Sequence, residues 1–575
     1  MDGILIQQGV HCVETKQGGH RASGYGDKGG TIHLFYFLFA LAFSGITEIG
    51  YKGTKNNRQS ERKKHLFFGK SDKSSYFCAK IQNHTEMKRI KPILSTLLLL
   101  LLSSGFSAAY AAKKIVVLSD THVMAASLLD SPDNTAWQED LANDKKMQDL
   151  SIPIFDTLVE EIVLEHPDLV LITGDLTKDG EIESHDYVVK KLTEIENAGI
   201  PVYVIPGNHD RGWQEGAKKY ENNTSSATKY MSESRFRTYY TPFGYGEGSE
   251  VHDASLSYIT EPFPGLTLIG LDSGQSAFVK TETINWLKEK ASDAKGKGNQ
   301  VLLMVHHSVI PHFYGQEFFQ PYSVIRDEEI DDEQELSFLA RTLFETGVKV
   351  VLTGHYHVSD ITCYHHGDLE LYDICTGSPL SYPCDYRILT FDDHFNTLNI
   401  FTKSIKELAG HEDFPTYAQE RLQTAVYNWA LKKLHDYVGD DQATNYLLAQ
   451  LIANMFVIHA EGNEPENPAS AEASLLFEGI MQLSPLFSDM MALLVNQIGL
   501  SMKSMLGDYP SEYDKDNVVN DRELTITMPI LPTDIRYIED THSDEDIWHT
   551  LQGIRLPSPP TKRGIYIHNG KQKGV

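Results

Sequence analysis

Six short apolar runs, each ending at a side chain able to bind metal, constrain the fold of this chain most strongly. They are rich in Val, Ile and Leu without sustained polar alternation, which is typical of strands buried on both faces of a sheet. Open α/β sheets collect functional residues at the carboxyl ends of their strands, so the polar residues after these runs are expected to lie together along one sheet edge. The runs are residues 114–122, 169–175, 202–210, 266–272, 301–306 and 348–357.

Segments with helical spacing of apolar residues separate these runs, and this alternation indicates an α/β fold. The predicted helices are residues 153–165, 184–197, 282–291 and 333–344. Three long intervals follow strand ends that carry candidate ligands, and intervals of this length are expected to form pocket walls. They are residues 130–149, 212–253 and 312–332.

The charge of the chain argues against a polynucleotide partner. The 575 residues have a formal net charge of −28, and residues 112–575 alone hold 36 basic and 72 acidic residues. Binding of nucleic acid polymers depends on Lys and Arg that neutralise phosphates, so no nucleic acid polymer is expected as a partner.

Residues 87–111 have the pattern of a secretory signal peptide. A basic start at Met87-Lys-Arg-Ile-Lys precedes an apolar stretch at 92–102 and the small-residue site Ala109-Tyr110-Ala111. The apolar stretch is short for a membrane span, although a short transmembrane anchor is the alternative interpretation. We therefore expect an exported protein, periplasmic or secreted, whose mature chain has no stable membrane span.

Residues 1–86 form a doubtful upstream extension, because a signal peptide normally stands at the start of a chain. Our hypothesis is that the natural start is Met87. The alternative is a real extension in which the apolar run at 32–46 is a membrane segment. Amino-terminal sequencing of the natural protein distinguishes the two, since any peptide from residues 1–86 contradicts the hypothesis.

Five blocks of residues, taken in order, resemble the calcineurin-like metallophosphoesterases over roughly residues 113–400. The resemblance implies an αββα sandwich, hydrolysis of phosphate esters and a small phosphate-ester substrate. Lys178 stands where the purple acid phosphatase branch has Tyr, so a ferric charge-transfer site is not expected. The blocks are Asp120-Thr-His122, Gly174-Asp175, Gly207-Asn208-His209-Asp210, His306 and Gly354-His355-Tyr-His357.

The resemblance also implies a role for each residue at a centre of two divalent or mixed-valence ions, of manganese, iron or zinc. Two cations stabilise the anionic phosphate and generate a bridging hydroxide nucleophile near neutral pH. His306 is preferred to His307 because the first His of such a pair binds metal in the family. The implied ligands are Asp120, His122 and His357 for one ion, Asn208, His306 and His355 for the other, and Asp175 as the bridge.

Two further residues are implied to act in catalysis rather than in metal binding. His209 would donate a proton to the leaving oxygen, a task suited to imidazole, and Asp210 would orient it. Asp272 also follows a buried run, and it is expected to cap the strand end or to support the ligands.

The remainder of the chain predicts a second domain. The catalytic domain is expected to span 112–405, and a mainly helical C-terminal domain 406–575, with helices at 417–438, 445–458 and 471–505 and one late strand at 524–531. A stabilising cap is the favoured role of this domain, with dimerisation and substrate gating as alternatives; the oligomeric state is left open.

Three cysteines lie close together after the last ligand block. An exported protein can oxidise two of Cys363, Cys375 and Cys384, and the first two would face each other across a hairpin that turns near Gly367-Asp368. Cys12 and Cys78 lie in the doubtful extension.

Taken together, the sequence predicts an exported two-metal phosphoesterase that acts on small phosphomonoesters or phosphodiesters, with nucleotides as the narrower expectation. The alternative from a different class is a non-catalytic scaffold that keeps the metallophosphoesterase fold and binds a protein partner.

Overall fold

The computed structural model describes most of the chain after the predicted signal peptide. The predicted extension and signal peptide, with Cys12 and Cys78, lie outside the described residues. The described residues are 112–142, 144–212, 216–313, 315–320, 322–328, 337–366, 369–438, 442–464, 467–483, 498–506 and 520–529, with four short strands beyond them.

All six apolar runs form strands, as predicted. The strands are β1 (Lys113–Leu118), β2 (Leu169–Ile172), β3 (Val202–Val204), β4 (Lys218–Glu221), β5 (Thr224–Ala227), β6 (Ser249–Val251), β7 (Tyr258–Phe263), β8 (Leu266–Leu271), β9 (Phe278–Val279), β10 (Gln300–Val305), β11 (Arg326–Asp327), β12 (Val350–Thr353), β13 (Asp360–His366), β14 (Leu369–Cys375), β15 (Asp385–Phe391), β16 (Thr397–Ser404), β17 (Glu523–Thr527), β18 (Trp548–His549), β19 (Arg555–Leu556), β20 (Ile565–His568) and β21 (Lys571–Gly574).

The helices alternate with these strands in the first part of the chain and dominate after β16. They are α1 (Thr135–Ala142), α2 (Ser151–Glu165), α3 (Ile182–Asn197), α4 (Glu233–Tyr239), α5 (Thr281–Gly296), α6 (Gln316–Phe319), α7 (Phe338–Thr346), α8 (Phe414–Val438), α9 (Gln442–Glu461) and α10 (Pro468–Leu483).

The predicted strands are divided between two sheets rather than placed in one. The first sheet has the order β17-β16-β15-β1-β2-β3, and the second has the order β13-β14-β12-β10-β8-β7-β6. Strands β1, β2 and β3 are parallel to one another, as are β8, β10 and β12. The expectation of a single sheet edge is therefore wrong, because an apolar run records burial but not which strand it pairs with.

The two sheets share one core, and the helices cover their outer faces. Val116 and Leu171 of the first sheet belong to the same buried cluster as Leu302 and Leu352 of the second. Helix α5 packs on the second sheet, where Ile284 contacts the cluster that includes the outer side chains of β8 and β10. The layers confirm the αββα sandwich.

Helices α8 and α9 form the main part of the C-terminal helical region, and they pack on the catalytic part through a second apolar cluster. Val426 and Met455 lie in this cluster beside Phe313, Tyr356 and Val358. Strand β17 pairs with β16 and extends the first sheet, so the predicted late strand is confirmed in part and joins the sandwich. Among the described residues, no helix combines the length and the apolar character that crossing a membrane requires.

The hairpin predicted near Gly367-Asp368 forms between β13 and β14, but its cysteines do not face each other. Cys363 is opposite Tyr372, and Cys375 is opposite Asp360. Cys363, Cys375 and Cys384 are buried, and none of them forms a disulfide bond with another of the three.

A buried chain of carboxylates and imidazoles links the second sheet to the helical region. His312 Nδ1 lies 2.7 Å from Asp360 Oδ1, and its Nε2 lies 3.4 Å from Asp373 Oδ1. His459 of α9 lies 3.5 Å from Asp360 through Nε2 and contacts Glu464 through Nδ1 at 2.5 Å. Burial alone would lower the pKa of His312, but the charges of Asp360 and Asp373 raise it to about 10.

Replacement of His312 by Gln should destabilise the protein, since it leaves buried carboxylates without their cation. We expect a loss of about 3–5 kcal/mol in the free energy of unfolding. Because the pKa of His312 is raised, its stabilisation is complete below about pH 6.5 and is lost as the pH rises towards 10.

Urea unfolding between pH 6 and 10 tests this prediction. The wild-type protein should lose stability across this range more steeply than His312→Gln. Lys288→Ala is the control, since it breaks an exposed ion pair with Glu345 and should cost less than about 1 kcal/mol. Parallel pH profiles for wild type and His312→Gln would contradict the prediction.

Candidate metal centre and catalytic site

The sandwich brings the candidate ligands together from the ends of both sheets. The first sheet supplies the residues that follow β1, β2 and β3, and the second sheet supplies those that follow β10 and β12. The residues in question are Asp120, His122, Asp175 and Asn208 from the first sheet and His306, His355 and His357 from the second.

One group of donor atoms comes from the residues that follow β1, β2 and β12. Asp120 Oδ1 lies 3.7 Å from His122 Nε2 and 3.3 Å from His357 Nε2. The two imidazole Nε2 atoms are 3.1 Å apart, and Asp175 Oδ2 lies 3.5 Å from that of His122. These four side chains are close enough to hold one ion together.

A second group lies on the other side of Asp175. His306 Nε2 lies 3.3 Å from Asp175 Oδ2 and 3.1 Å from Asn208 Oδ1. Asn208 Oδ1 lies 2.9 Å from His355 Nδ1. Asp175 therefore belongs to both groups, which is the position predicted for a bridging carboxylate.

Several of these atoms are buried without a hydrogen-bond partner among the described residues. They include Asp120 Oδ1, Asp175 Oδ2 and His355 Nε2. A buried polar atom without a partner costs about 1–3 kcal/mol. Carboxylate oxygen and imidazole nitrogen are ligands of manganese, iron and zinc, so the unpartnered atoms fit a site for divalent cations.

Burial and charge set the protonation of this cluster. Burial lowers the pKa of His122 and of His355 well below the ordinary value, which favours the neutral imidazole that binds metal. Burial opposes ionisation of Asp175, but the imidazoles of His306 and His209 hold its pKa well below the usual range. The same carboxylate raises the pKa of His306 to about 9 against the effect of burial.

The backbone of the site is strained. Five of the seven predicted ligands have positive φ, a conformation that residues other than glycine rarely adopt and that costs about 1–3 kcal/mol each. Such strain is typical of functional sites, where the surrounding fold imposes the geometry. The residues and angles are Asp120 (52°), His122 (38°), Asp175 (52°), His355 (67°) and His357 (67°).

Two glycines allow the close approach of the loops that carry these ligands. A Cβ on Gly207 would lie 2.2 Å from Asp175 Oδ1, and a Cβ on Gly354 would lie 1.8 Å from Ser119 Oγ. Both distances are far inside van der Waals contact. Glycine is therefore required at positions 207 and 354, the first residues of two of the five sequence blocks.

His209 lies beside the donor atoms but contacts a residue that the sequence interpretation missed. Its Nδ1 lies 2.9 Å from Asp179 Oδ1, and Asp179 Oδ2 accepts a hydrogen bond from Lys178 at 2.6 Å. Burial lowers the pKa of His209, but Asp175 and Asp179 together raise it above the ordinary value. Asp179 lies four residues after Asp175 in the same loop. This short separation in the sequence could have indicated that Asp179 lies near the site.

Asp210 does not orient His209 in the structure, so that expectation is corrected. Its carboxylate accepts hydrogen bonds from the backbone N–H groups of Thr177 and Gly207, both at 2.9 Å. Asp210 thus ties the loop after β2 to the loop after β3. A direct catalytic role for Asp210 stays a prediction.

The geometry favours His306 over His307 as a ligand. His306 Nδ1 donates to the backbone carbonyl of Thr173 at 2.8 Å, which directs Nε2 towards Asp175. His307 Nδ1 instead lies 2.8 Å from Ser273 Oγ. His307 remains near the second group, since its ring, His306 and His355 offer nitrogen atoms within 4.8 Å of one another.

Comparison with known proteins agrees with this arrangement. Residues 113–359 match the sequence profile described as calcineurin-like phosphoesterase. Over these residues the chain is similar to that family. The matched range contains every candidate ligand, and it ends within the loop that follows β12.

Two curated relatives have names of phosphodiesterases. A probable glycerophosphodiester phosphodiesterase from Arcobacter nitrofigilis is 32% identical over 145 residues, which cover 24% of this chain and 42% of that protein. The match therefore spans less than half of that relative. A probable cyclic nucleotide phosphodiesterase from Fibrobacter succinogenes is 23% identical over 217 residues, 37% of this chain and 68% of that protein.

A solved structure is also similar to this chain. It is a dimetal phosphatase from Danio rerio, with 11% sequence identity and a TM-score of 0.35. The match covers 51% of this chain and 96% of that structure.

Asp272 lies within the matched range and has a structural role. Its two carboxylate oxygens accept hydrogen bonds from the guanidinium of Arg211 at 2.8 and 3.1 Å, and both side chains are buried. Arg211 directly follows the block that contains Asn208 and His209. The ion pair therefore anchors that loop to the end of β8, which agrees with the expectation that Asp272 supports the site.

A cavity of about 400 Å³ opens beside the candidate ligands of the domain. Of the three intervals predicted to form its walls, residues 130–149 supply Trp137 and Lys145, and residues 312–332 supply Gln320. No described residue of 212–253 lines this cavity. That interval instead forms β4, β5, α4 and β6, so its described residues do not form a wall of this cavity as predicted.

Substitution of Gly207 by Ala should displace the carboxylate of Asp175 and weaken binding of divalent ions. The new methyl group would overlap Asp175 Oδ1. Isothermal titration calorimetry of the metal-free variant with Mn²⁺ should show at least tenfold weaker binding than that of the wild-type protein. This factor corresponds to a loss of about 1.4 kcal/mol in binding free energy.

The matched control is Gly296→Ala at the end of α5, where an added Cβ meets nothing within 4 Å. This variant should bind Mn²⁺ as the wild-type protein does. Equal affinities for Gly207→Ala and Gly296→Ala would show that Asp175 does not hold the ion.

Proposed function

We propose that the chain is an exported two-metal phosphoesterase that hydrolyses small phosphomonoesters or phosphodiesters. One observation supports this most directly. Asp175 Oδ2 lies 3.5 Å from His122 Nε2 and 3.3 Å from His306 Nε2, and it has no hydrogen-bond partner among the described residues. A carboxylate oxygen in this position is suited to bridge two cations. Export rests on the pattern of residues 87–111.

The donor groups define what the chain itself contributes. Ions held by the two groups would supply Lewis-acid polarisation of the phosphoryl oxygens and a nucleophile at neutral pH. Asp120, His122 and His357 would hold one ion, and Asn208, His306 and His355 the other, with Asp175 shared. The backbone conformation of five of these seven residues, which the surrounding fold imposes, fixes their spacing before substrate binds, so little reorganisation is needed.

His209 is placed to protonate the leaving oxygen. Hydrogen bonding of Nδ1 to Asp179 fixes the ring and leaves Nε2 as the atom that holds the transferable proton. The ring borders the cavity, where the ester would lie, and about a third of its side chain is exposed, at 34%. Asp179 therefore takes the orienting role that was first assigned to Asp210.

Nucleotides are the narrower proposal for the substrate class. The name of the relative from Fibrobacter succinogenes, a probable cyclic nucleotide phosphodiesterase, agrees with it. The name of the relative from Arcobacter nitrofigilis indicates a different diester, so both belong in a substrate panel. The alternative function is a non-catalytic scaffold, which would not need an oriented His209 beside two sets of donor atoms.

The activity is tested with purified protein loaded with Mn²⁺ and assayed on p-nitrophenyl phosphate and bis-p-nitrophenyl phosphate. Release of p-nitrophenol that is abolished by a chelator and restored by Mn²⁺ is the expected result. Absence of turnover on both esters, by protein shown to contain metal, would favour the scaffold.

Replacement of His209 by Ala should slow hydrolysis of esters with poor leaving groups by about 10²–10⁴-fold, the usual contribution of a general acid. Esters of p-nitrophenol should be affected much less, because that leaving group needs little protonation. Metal content, measured by plasma mass spectrometry, should equal that of the wild type. Asp179→Asn should cause a smaller loss of the same kind.

The control for His209 is His394→Ala, which removes an exposed histidine far along the sequence from the ligand blocks. It should leave both rates and metal content unchanged. Loss of metal in His209→Ala would mean that His209 is a ligand instead of a proton donor.

A further inference from the structure

The cavity beside His209 is larger than a phosphate group requires. Its volume of about 400 Å³ lies in the range of pockets that enclose whole small molecules. Besides Asp175 and His209, its lining includes Leu422 and Val426 of α8 and Phe456 of α9. The helical region thus contributes side chains directly to the catalytic pocket.

These three side chains give the pocket an apolar wall. Trp137 of α1 and Tyr356, which follows β12, add aromatic surface to the same cavity. Binding becomes more favourable when an apolar part of a ligand displaces water from an apolar lining of this kind.

The wall is held against the catalytic domain by polar contacts on both helices. Arg421 of α8 donates to Asp149 at 3.0 Å, beside the loop that borders the cavity. On α9, Glu461 accepts a hydrogen bond from Tyr382 at 2.9 Å. These contacts fix the helices at the pocket, as a selective wall requires.

A cation lies at the same wall. Lys145 lines the cavity, and its Nζ lies 5.1 Å from the ring centre of Trp429 on α8. Lys146 and Lys178, which also line the cavity, have carboxylates at 3.3 and 2.6 Å, whereas no carboxylate of the described residues lies within 4.0 Å of Lys145. Lys145 is therefore available to an anionic ligand at the edge of an apolar surface.

We propose that α8 and α9 are a specificity element of the catalytic pocket, which selects phosphate esters whose alcohol portion carries an apolar or aromatic group. The ester would place its phosphate at the ligands and its leaving oxygen near His209. Its apolar group would then cover Leu422, Val426 and Phe456. This inference rests on the proposed phosphoesterase function and assigns a role to the helical region.

Phenyl, 4-ethylphenyl and 4-butylphenyl phosphates, and their methyl diesters, provide the test. The three phenols have nearly equal acidity, so differences in kcat/KM report on the pocket rather than on the leaving group. Full burial of a methylene group increases kcat/KM by up to about fourfold. We therefore expect kcat/KM to rise at least tenfold from the phenyl to the 4-butylphenyl ester.

Two variants localise the effect to the helices. Val426→Thr keeps the volume but adds a hydroxyl, and Phe456→Ala removes the ring; each should reduce the preference for the butyl ester at least threefold. Leu447→Ala on α9 is the matched control, since Leu447 is 57% exposed and lies outside the cavity lining. It should retain the wild-type preference.

Binding of phenylphosphonate and 4-butylphenylphosphonate, which are not hydrolysed, gives a second measurement by calorimetry. The butyl compound should bind at least tenfold more tightly to the wild-type protein, and Val426→Thr should reduce this difference.

Equal kcat/KM along the series, or a preference that survives in both wall variants, would overturn the proposed specificity. Absence of hydrolysis of every ester by metal-loaded wild type would instead refute the phosphoesterase function. A preference in the phosphonate affinities would still support the apolar wall in that case.

Discussion

The carboxylate of Asp175 is the interaction on which the site depends. Its Oδ2 lies between the donor atoms of the two sheets, and its Oδ1 accepts the backbone N–H of His209 at 2.8 Å. One side chain thus joins both groups of candidate ligands to the residue proposed as the acid. A buried carboxylate gains stability only with such partners, and the surrounding imidazoles hold its pKa low.

The fold maintains this geometry at a local cost. Left-handed backbone at five candidate ligands is unfavourable, and the buried sandwich around them must offset it. The loops have no freedom to relax, because Gly207 and Gly354 already lie against neighbouring groups and Arg211 is fixed by Asp272. Rigidity of this kind is what preorganised charge stabilisation requires.

The helical region is more closely joined to the catalytic part than a separate cap would be. Strand β17 extends the first sheet, the chain of His312, Asp360 and His459 crosses the junction, and α8 and α9 border the cavity. The helical region carries no catalytic motif of its own, and these contacts indicate that it acts through the catalytic part. The candidate metal ligands follow strands of the two sheets, whereas α8 and α9 are proposed to select the esters that bind beside them.

The sequence by itself determined the six buried strands that carry the site, most helices and the candidate ligands, because apolar periodicity and ligand spacing are local properties of a chain. The apolar runs did not show that the strands form two sheets, because strand pairing is a long-range choice; only the resemblance to the family implied the two-sheet sandwich. Only the tertiary structure brought Asp179 to His209, directed Asp210 to the backbone and paired Arg211 with Asp272. Such contacts depend on how loops meet in space, which residue spacing does not record.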